Sequence, residues 1–291
     1  MKMNMDYLKI LRNNNKISFK TSYISSDKHM AADLSMRCVF NGNEKCNIGY
    51  RSLLLDTDSM LVLNKGTVYE SSATSEVPVK SFTISFDEKF INDFNSSIRL
   101  NSKQLLDVQQ NTSSLHELSE TLYPFNGDLK LTVLHLKDYL DSDMNNELLI
   151  NEYLHHCLIT YNSLYNQEVF KKAEQLHILN QSTRIEVIRR LNMAKEYLYS
   201  NYDKNISLEE LAENACLSVN HLLRTFKQAF GQTPHQYLTD IRLKKARLML
   251  KSTNCPVNEI VNTIGFENTS SFIRLFKRKM HTTPIAYRQS A

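Results

Sequence analysis

The chain lacks any run approaching the roughly 18–20 consecutive apolar residues that a membrane-spanning helix needs. Its opening, MKMNMDYLKILRNNN, is positive but has no adequate apolar stretch and no small-residue cleavage site, so it does not read as a secretory signal. No tract is low-complexity, and 42% apolar residues over 291 positions are enough for the ordinary cores of two domains. Cysteine is sparse. Cys38, Cys46, Cys157, Cys216 and Cys255 are odd in number, scattered and mostly in apolar settings, which suits reduced thiols in the cytoplasm. Cys38 and Cys46 have no second pair to complete a zinc site, and the strand-rich region has no His-x-His cluster. His155 and His156 are adjacent, so they point to different helix faces and at most one could join a site. No nucleophile–base constellation is present. No cofactor, metal or catalytic residue is therefore expected, and the chain is not expected to be an enzyme.

Charge is unevenly placed. Residues 184–291 carry 17 Lys and Arg against 9 Asp and Glu, a net +8, whereas residues 1–183 carry 18 against 22, a net −4. Positive potential confined to the last third is what a module lying on phosphate requires.

That last third contains a repeat. Residues 226–238 read FKQAFGQTPHQYL and residues 276–288 read FKRKMHTTPIAYR. Phe226, Lys227, Thr233, Pro234 and Tyr237 recur fifty positions later as Phe276, Lys277, Thr283, Pro284 and Tyr287. Upstream, Leu211-Ala212 and Cys216-Leu217 correspond to Ile260-Val261 and Gly265-Phe266 at an offset of 49. Each copy reads as a short helix, a tight turn and a second helix. In the first copy, Ser207 with Glu210 forms the pattern of a capping box. Leu208, Leu211, Ala212 and Ala215 share one face. Ser218 caps a helix whose apolar stripe is Leu222, Leu223, Phe226 and Phe230, ended by Gly231. Thr233-Pro234 and Thr283-Pro284 each open a further helix. Between the copies, 234–252 is an amphipathic helix in which Tyr237, Leu238, Ile241, Leu243, Ala246, Leu248, Met249 and Leu250 alternate with Arg242, Lys244, Lys245, Arg247 and Lys251. It is either a solvated charged helix or a strut fixing the distance between two reading helices; both can hold.

The N-terminal two-thirds read as α+β. Strands are expected at 16–23, 34–40, 52–55, 59–63 and 81–86, with turns at Gly42, Asn43, 56–58, 64–66 and Pro78, as in a small antiparallel barrel or sandwich. Helices are expected at 87–94, 102–110, 113–122, 128–142 and 145–165. In the last of these, Leu148, Leu149, Glu152, Tyr153, His156, Ile159 and Thr160 lie at helical spacing. Residues 167–182 are polar and read as a helix or linker. The expected domains are 1–166, a linker at 167–183, and 184–291.

On these residues, 184–291 closely resembles the DNA-binding domain of the AraC/XylS family of bacterial transcription regulators, with its paired helix-turn-helix units, connecting helix and closing Tyr287-Arg288. The N-terminal region is similar to that family's cupin-like sensor barrel and helical dimerisation pair, mainly through 48–86. The resemblance implies a cytoplasmic, homodimeric regulator that binds double-stranded promoter DNA, contacts RNA polymerase and responds to a small effector. Activation is the leading expectation. Repression, or an N-terminal domain that only dimerises or binds a protein, stays open. The chain departs from the family pattern at Ile260-Val261 (commonly Ile-Ala) and Met280-His281 (commonly Phe-Gly). The first enlarges a buried position. The second makes a less sharp helix end expected.

By the same resemblance 218–230 and 268–280 enter successive major grooves about one turn (~34 Å) apart. The base-reading candidates are Asn220, His221, Leu223 and Arg224, and Thr269, Ser270, Ile273 and Arg274, with Thr225 less central. Arginine can bond guanine bidentately and asparagine adenine. Leu223 would meet a thymine methyl or pack in the core; Arg224 and Arg274 would otherwise form surface salt bridges. Lys227, Gln228, Thr233, Lys277, Arg278, Lys279 and Thr283 are the phosphate candidates, although capping alone would explain both threonines. Tyr50, Arg51, Tyr69 and Glu70 are the candidates for lining an effector pocket; Tyr69 stands where the related sensor often has histidine.

Overall fold

A computed structural model describes residues 6–105, 120–142 and 145–289. The chain divides into two compact units, Met1–Glu168 and Val169–Ala291.

The first unit is a nearly closed antiparallel barrel flanked by helices. Its strands are β1 (Tyr7–Ile10), β2 (Lys16–Ala31), β3 (Leu34–Asn41), β4 (Asn43–Ile48), β5 (Arg51–Asp56), β6 (Ser59–Leu63), β7 (Val68–Phe86) and β8 (Leu122–Pro124). Its helices are α1 (Glu88–Leu105), α2 (Gly127–Asp141) and α3 (Glu147–Tyr165). The sheet runs β1-β2-β7-β3-β6-β8, with β4 pairing both β5 and β7. Strand β7 is the spine: β2 lies along one edge, and β3 and β4 share the other.

Alternation explains why β3 is buried almost throughout. Val39 points into the barrel with Cys46, Ile48, Leu53, Leu55, Leu61, Leu63, Ala73 and Val79. The other face of the sheet carries Ile17, Phe19, Met36, Cys38, Phe82, Ile84 and Phe86, which the helices cover. Phe86 stacks on Phe90 of α1 at 6.2 Å, and Lys137 of α2 lies 4.7 Å from the Phe19 ring. In α3 the buried residues are Ile150, Leu154, Cys157, Leu158, Tyr161 and Tyr165. The expected stripe through Leu148 and Ile159 is the opposite, outward face: these two are 77% and 55% exposed, as is Leu131 of α2 at 53%. His155 packs on Phe90 with centroids 4.4 Å apart; both it and His156 are exposed.

Two expectations change here. Pro78 does not end a strand; it lies inside β7, where the β2 register is interrupted between Ser22↔Val79 and Ile24↔Thr74. Leu122 belongs to β8 rather than a helix, because Leu61 and Met60 of β6 pair with Leu122 and Tyr123. The rest of the helix expected at 113–122, and residues 106–110 of the one at 102–110, lie outside the described residues except Glu120 and Thr121.

The second unit is all helical. A π-helical turn (Asn166–Lys171) crosses into it and leads to α4 (Lys172–Glu174). There follow α5 (Gln181–Ser200), α6 (Leu208–Asn214), α7 (Val219–Phe230), α8 (Pro234–Ser252), α9 (Val257–Thr263), α10 (Thr269–Met280) and α11 (Pro284–Gln289). Val169, Ala173 and Leu176 are buried. Among the described residues no helix is long and apolar enough to cross a membrane.

Candidate nucleic-acid interface

Each helix-turn-helix is set by its caps and turn. The Ser207 hydroxyl accepts from the Glu210 amide at 3.0 Å and starts α6. The reciprocal half of the capping box is absent here, because the Glu210 carboxylate accepts from the Tyr197 hydroxyl instead. At the turn Cys216 takes φ 51°, and at the equivalent turn Gly265 takes 78°. Ser218 caps α7 through the His221 amide, and Asn268 caps α10 through Ser271. Gly231 ends α7 in the left-handed region, and its amide closes on Lys227 O at 2.9 Å. His281 takes φ 58° at the same repeat position, so α10 ends there without a glycine. Thr233 forms a complete capping box with Gln236, and the Thr283 hydroxyl accepts from the Ala286 amide. Both threonines therefore have structural roles.

The buried stripe of α7 is Leu222, Thr225, Phe226 and Ala229. Thr225 is thereby removed from the base-reading set: it is 1% exposed and donates to His221 O at 2.6 Å. Helix α10 buries Phe272 and Phe276. Val261, the enlarged residue of α9, is fully buried.

The outward stripes match. Asn220, Arg224 and Lys227 are exposed on α7, at i, i+4 and i+7; Ser270, Arg274 and Lys277 are exposed at the same spacing on α10. Leu223 is half-buried, whereas its counterpart Ile273 is exposed. His221, Gln228 and Thr269 are half-buried, and Arg278 is exposed. Arg274 Nη2 lies 3.5 Å from the Ser271 hydroxyl. Arg224, Lys227, Lys277 and Arg278 have no ion-pair partner among the described residues. Lys279 differs: it pairs with Asp240 of α8 at 3.2 Å. The arrangement is two parallel copies of a donor-bearing helix face, with cations flanking the readers.

Helix α8 is less a solvated basic face than its sequence suggests. Lys245 lies 4.8 Å from the Tyr199 ring, while Arg247 and Lys251 lie 5.8 and 5.3 Å from the Tyr287 ring. Arg247 donates to the Tyr287 hydroxyl and pulls that phenol below its ordinary pKa. Leu248, expected on the apolar face, is 45% exposed.

The four effector candidates in the barrel do not converge. Tyr50 sits exposed at the β4–β5 turn. Glu70 alternates with Tyr69 along β7 and so faces away from the lumen, 3.7 Å from His29. Arg51 donates to Glu120 O at 2.8 Å. The Arg51 guanidinium also lies 3.7 Å from the Glu120 carboxylate, which accepts from the Asn64 amide and the Thr67 hydroxyl. Tyr69 joins a separate polar cluster in the lumen, whose other members the sequence did not single out. Arg37 donates to Tyr69 Oη at 3.1 Å, to both Glu44 carboxylate oxygens and to Ser71. Ser71 and Ser81 donate to Glu44. Burial alone would lower the Arg37 pKa, but Glu44, Cys46 and Tyr69 reverse this and hold it above its ordinary value. The available signal was charged residues, Arg37 and Glu44, sharing the strand alternation of the lumen-facing Val39, Cys46 and Ile48.

The helices form a duplicated helix-turn-helix with matched outward stripes on α7 and α10. Residues 211–290 match a helix-turn-helix domain family. The chain is 29% identical over 238 residues to the raffinose operon transcriptional regulatory protein RafR of Pediococcus pentosaceus, covering 81% of this chain and 77% of that protein. It is 27% identical over 158 residues to the lactose operon transcription activator of Staphylococcus xylosus, covering 54% and 52%. The chain thus spans about half the length of the second relative. The C-terminal domain of AraT from Geobacillus stearothermophilus is 31% identical, with 35% of this chain and 85% of that chain covered and a TM-score of 0.34. The second unit thus carries a helix-turn-helix domain, and the chain is similar over much of its length to a transcription regulator. Among the described residues there is no group of three or more His, Cys, Asp or Glu able to hold a metal.

Proposed function

We propose that this regulator reads two adjacent major-groove segments with α7 and α10 and activates transcription when a carbohydrate-class effector occupies its N-terminal barrel. The observation that carries the first half is the matched stripe Asn220, Arg224, Lys227 and Ser270, Arg274, Lys277, exposed on both helices. The arginines and Asn220 are the base readers, with His221, Leu223, Thr269, Ser270 and Ile273 beside them. Lys227, Gln228, Lys277 and Arg278 hold phosphate; Lys279 contributes only when its exposed pair with Asp240 opens.

Two observations favour a carbohydrate. The RafR alignment covers 81% of this chain, so it extends well into the first unit, and the two relatives are named for raffinose and lactose operons. In the lumen, three hydroxyls already surround the Arg37–Glu44 pair, which is the hydrogen-bonding chemistry a polyol presents. Exposed Leu131, Leu148 and Ile159 on α2 and α3 support a homodimer formed through those helices. Contact with RNA polymerase and a cytoplasmic location follow from the same reading.

The test is selection of duplexes from a random library by the full chain, followed by transcription from a promoter carrying the selected site, with raffinose, lactose or no sugar. Selection of a two-part site and sugar-dependent transcription are expected. Enrichment of no sequence would sink the reading.

A further inference from the structure

The duplication extends further than its obvious motif. Leu191, Ala194 and Leu198 of α5 recur 52 positions later as Leu243, Ala246 and Leu250 of α8, and all six are buried. Helix α5 therefore leads into the first helix-turn-helix as α8 leads into the second. Arg190 and Arg242 hold the same place on the two leading helices.

Their contacts differ. Arg190 stays within its own unit: it donates to Cys216 O at the turn (3.1 Å) and to Glu186 (2.9 Å). Arg242 reaches out of its unit. Its Nε donates to Tyr202 O at 2.6 Å and its Nη2 to Lys204 O at 2.7 Å, both in the loop between α5 and α6. The same guanidinium lies 5.6 Å from the ring centre of Phe266, just after the turn of the second unit. One planar cation thus touches both units, with Asp203 and Glu267 as the nearby opposite charges.

The second turn is seated on the first unit directly. A Cβ at Gly265 would come within 2.5 Å of Asp203 O, 2.7 Å of its carbonyl carbon and 2.9 Å of Arg242 Nη2. The matching turn residue, Cys216, is exposed and keeps its side chain. Tyr202, from the first unit, packs against the core of the second. The glycine is needed at one turn and dispensable at the other because only one turn lies on a neighbouring backbone.

We infer that Arg242, locked over Gly265, is a positioning residue that clamps the two helix-turn-helix units together, so that α7 and α10 read DNA at one fixed spacing. Two independently tethered units would tolerate a range of spacings; a clamped pair tolerates one. The inference rests on the two-groove reading above.

The experiment uses the full chain and the duplexes that wild type selects from a random library, together with versions carrying one or two base pairs inserted between the two read segments. Each inserted base pair turns the second segment about the axis by roughly a tenth of a turn, since a helical turn is about 10–10.5 base pairs. Wild type should lose affinity steeply with insertion. Arg242→Ala should bind the selected duplex about tenfold more weakly, as expected for lost charged hydrogen bonds, and lose much of the penalty for insertion. Arg224→Ala, by contrast, should weaken binding at every spacing alike. If Arg242→Ala fails to fold by circular dichroism, Arg242→Lys takes its place, because an ammonium lacks the planar fork that spans both carbonyls. A folded variant with the wild-type insertion penalty would overturn the clamp and leave the two-groove reading intact. Failure of wild type to select a two-part site would overturn the two-groove reading itself.

Discussion

Phe226 and Tyr237 meet edge-to-face, with centroids 5.6 Å apart and ring planes at 79°, and fifty residues later Phe276 and Tyr287 repeat the contact at 5.5 Å and 77°. In both copies the buried phenylalanine comes from the reading helix and the tyrosine from the helix that follows it. This pair packs α7 and α10 each against the helix that follows it. Phe226→Ala or Phe276→Ala should each destabilise the second unit by about 3–5 kcal/mol, through lost burial and the cavity left behind. Urea unfolding followed by far-UV circular dichroism would measure this; a loss below about 1 kcal/mol would show that neighbouring side chains refill the site.

Arg224 and Arg274 should separate from Lys227 and Lys277 in DNA binding. Replacing either arginine by alanine should cost about 1–3 kcal/mol on the selected duplex and relax base preference at one position. Replacing either lysine should weaken all sequences alike and lower the salt slope by about one. Titrations at several salt concentrations decide it. An arginine variant with unchanged sequence preference would assign that side chain to phosphate.

The Arg37–Glu44 pair predicts an asymmetry. Side-chain exposures of 11% and 2% mean that removing one partner strands a charge in an apolar lumen. Glu44→Gln should destabilise the first unit by about 3–5 kcal/mol, whereas Arg37→Met with Glu44→Leu should cost less than the single change. Equal losses in chemical denaturation would mean that the charges are solvated in the native state.

Thiol titration should grade the cysteines. Cys38, Cys46 and Cys157 are buried, and burial pushes the thiols of Cys46 and Cys157 up to about 12. Cys216 is exposed and Cys255 half-buried. A disulfide reagent should modify Cys216 first and Cys255 next, and reach the other three only in denaturant.

The same shifts set a pH dependence. The folded state holds the Cys46 and Cys157 protons more tightly than the unfolded chain, whose thiols titrate near about 8.5. Their contribution is thus fully present below about pH 8.5 and is lost as pH rises from there toward about 12. Thermal melts of the first unit should fall across that range, and Cys46→Ser with Cys157→Ser should flatten the fall.

From Ser207 onward the helices were readable to within a residue or two because local rules agree there, whereas α5 (Gln181–Ser200) was not placed. Ser207, Ser218, Thr233 and Gly231 each punctuate a helix by contacts within a few positions, and the phenylalanines repeat at helical spacing. The Glu210 half of the capping box failed because Tyr197, distant in sequence, offers a better partner than the nearby amide. Barrel strands were placed but their lengths were not. Strand β7 continues through Pro78 because three other strands pair with it, and no local window contains those partners. Among the effector candidates, strand alternation sends Glu70 away from Tyr69, and only register brings Arg37 to Glu44.

By itself, the sequence determined the duplication, the placement of positive charge and the positions of α7 and α10, since period, caps and composition are local quantities. Only the tertiary structure decided which side chains meet. It turned Thr225 inward, joined Arg37 to Glu44 and carried Arg242 across to the neighbouring loop. Those outcomes depend on packing between segments that are remote along the chain, where a glycine at 265 and a cysteine at 216 look equivalent until one of them is found lying on another backbone.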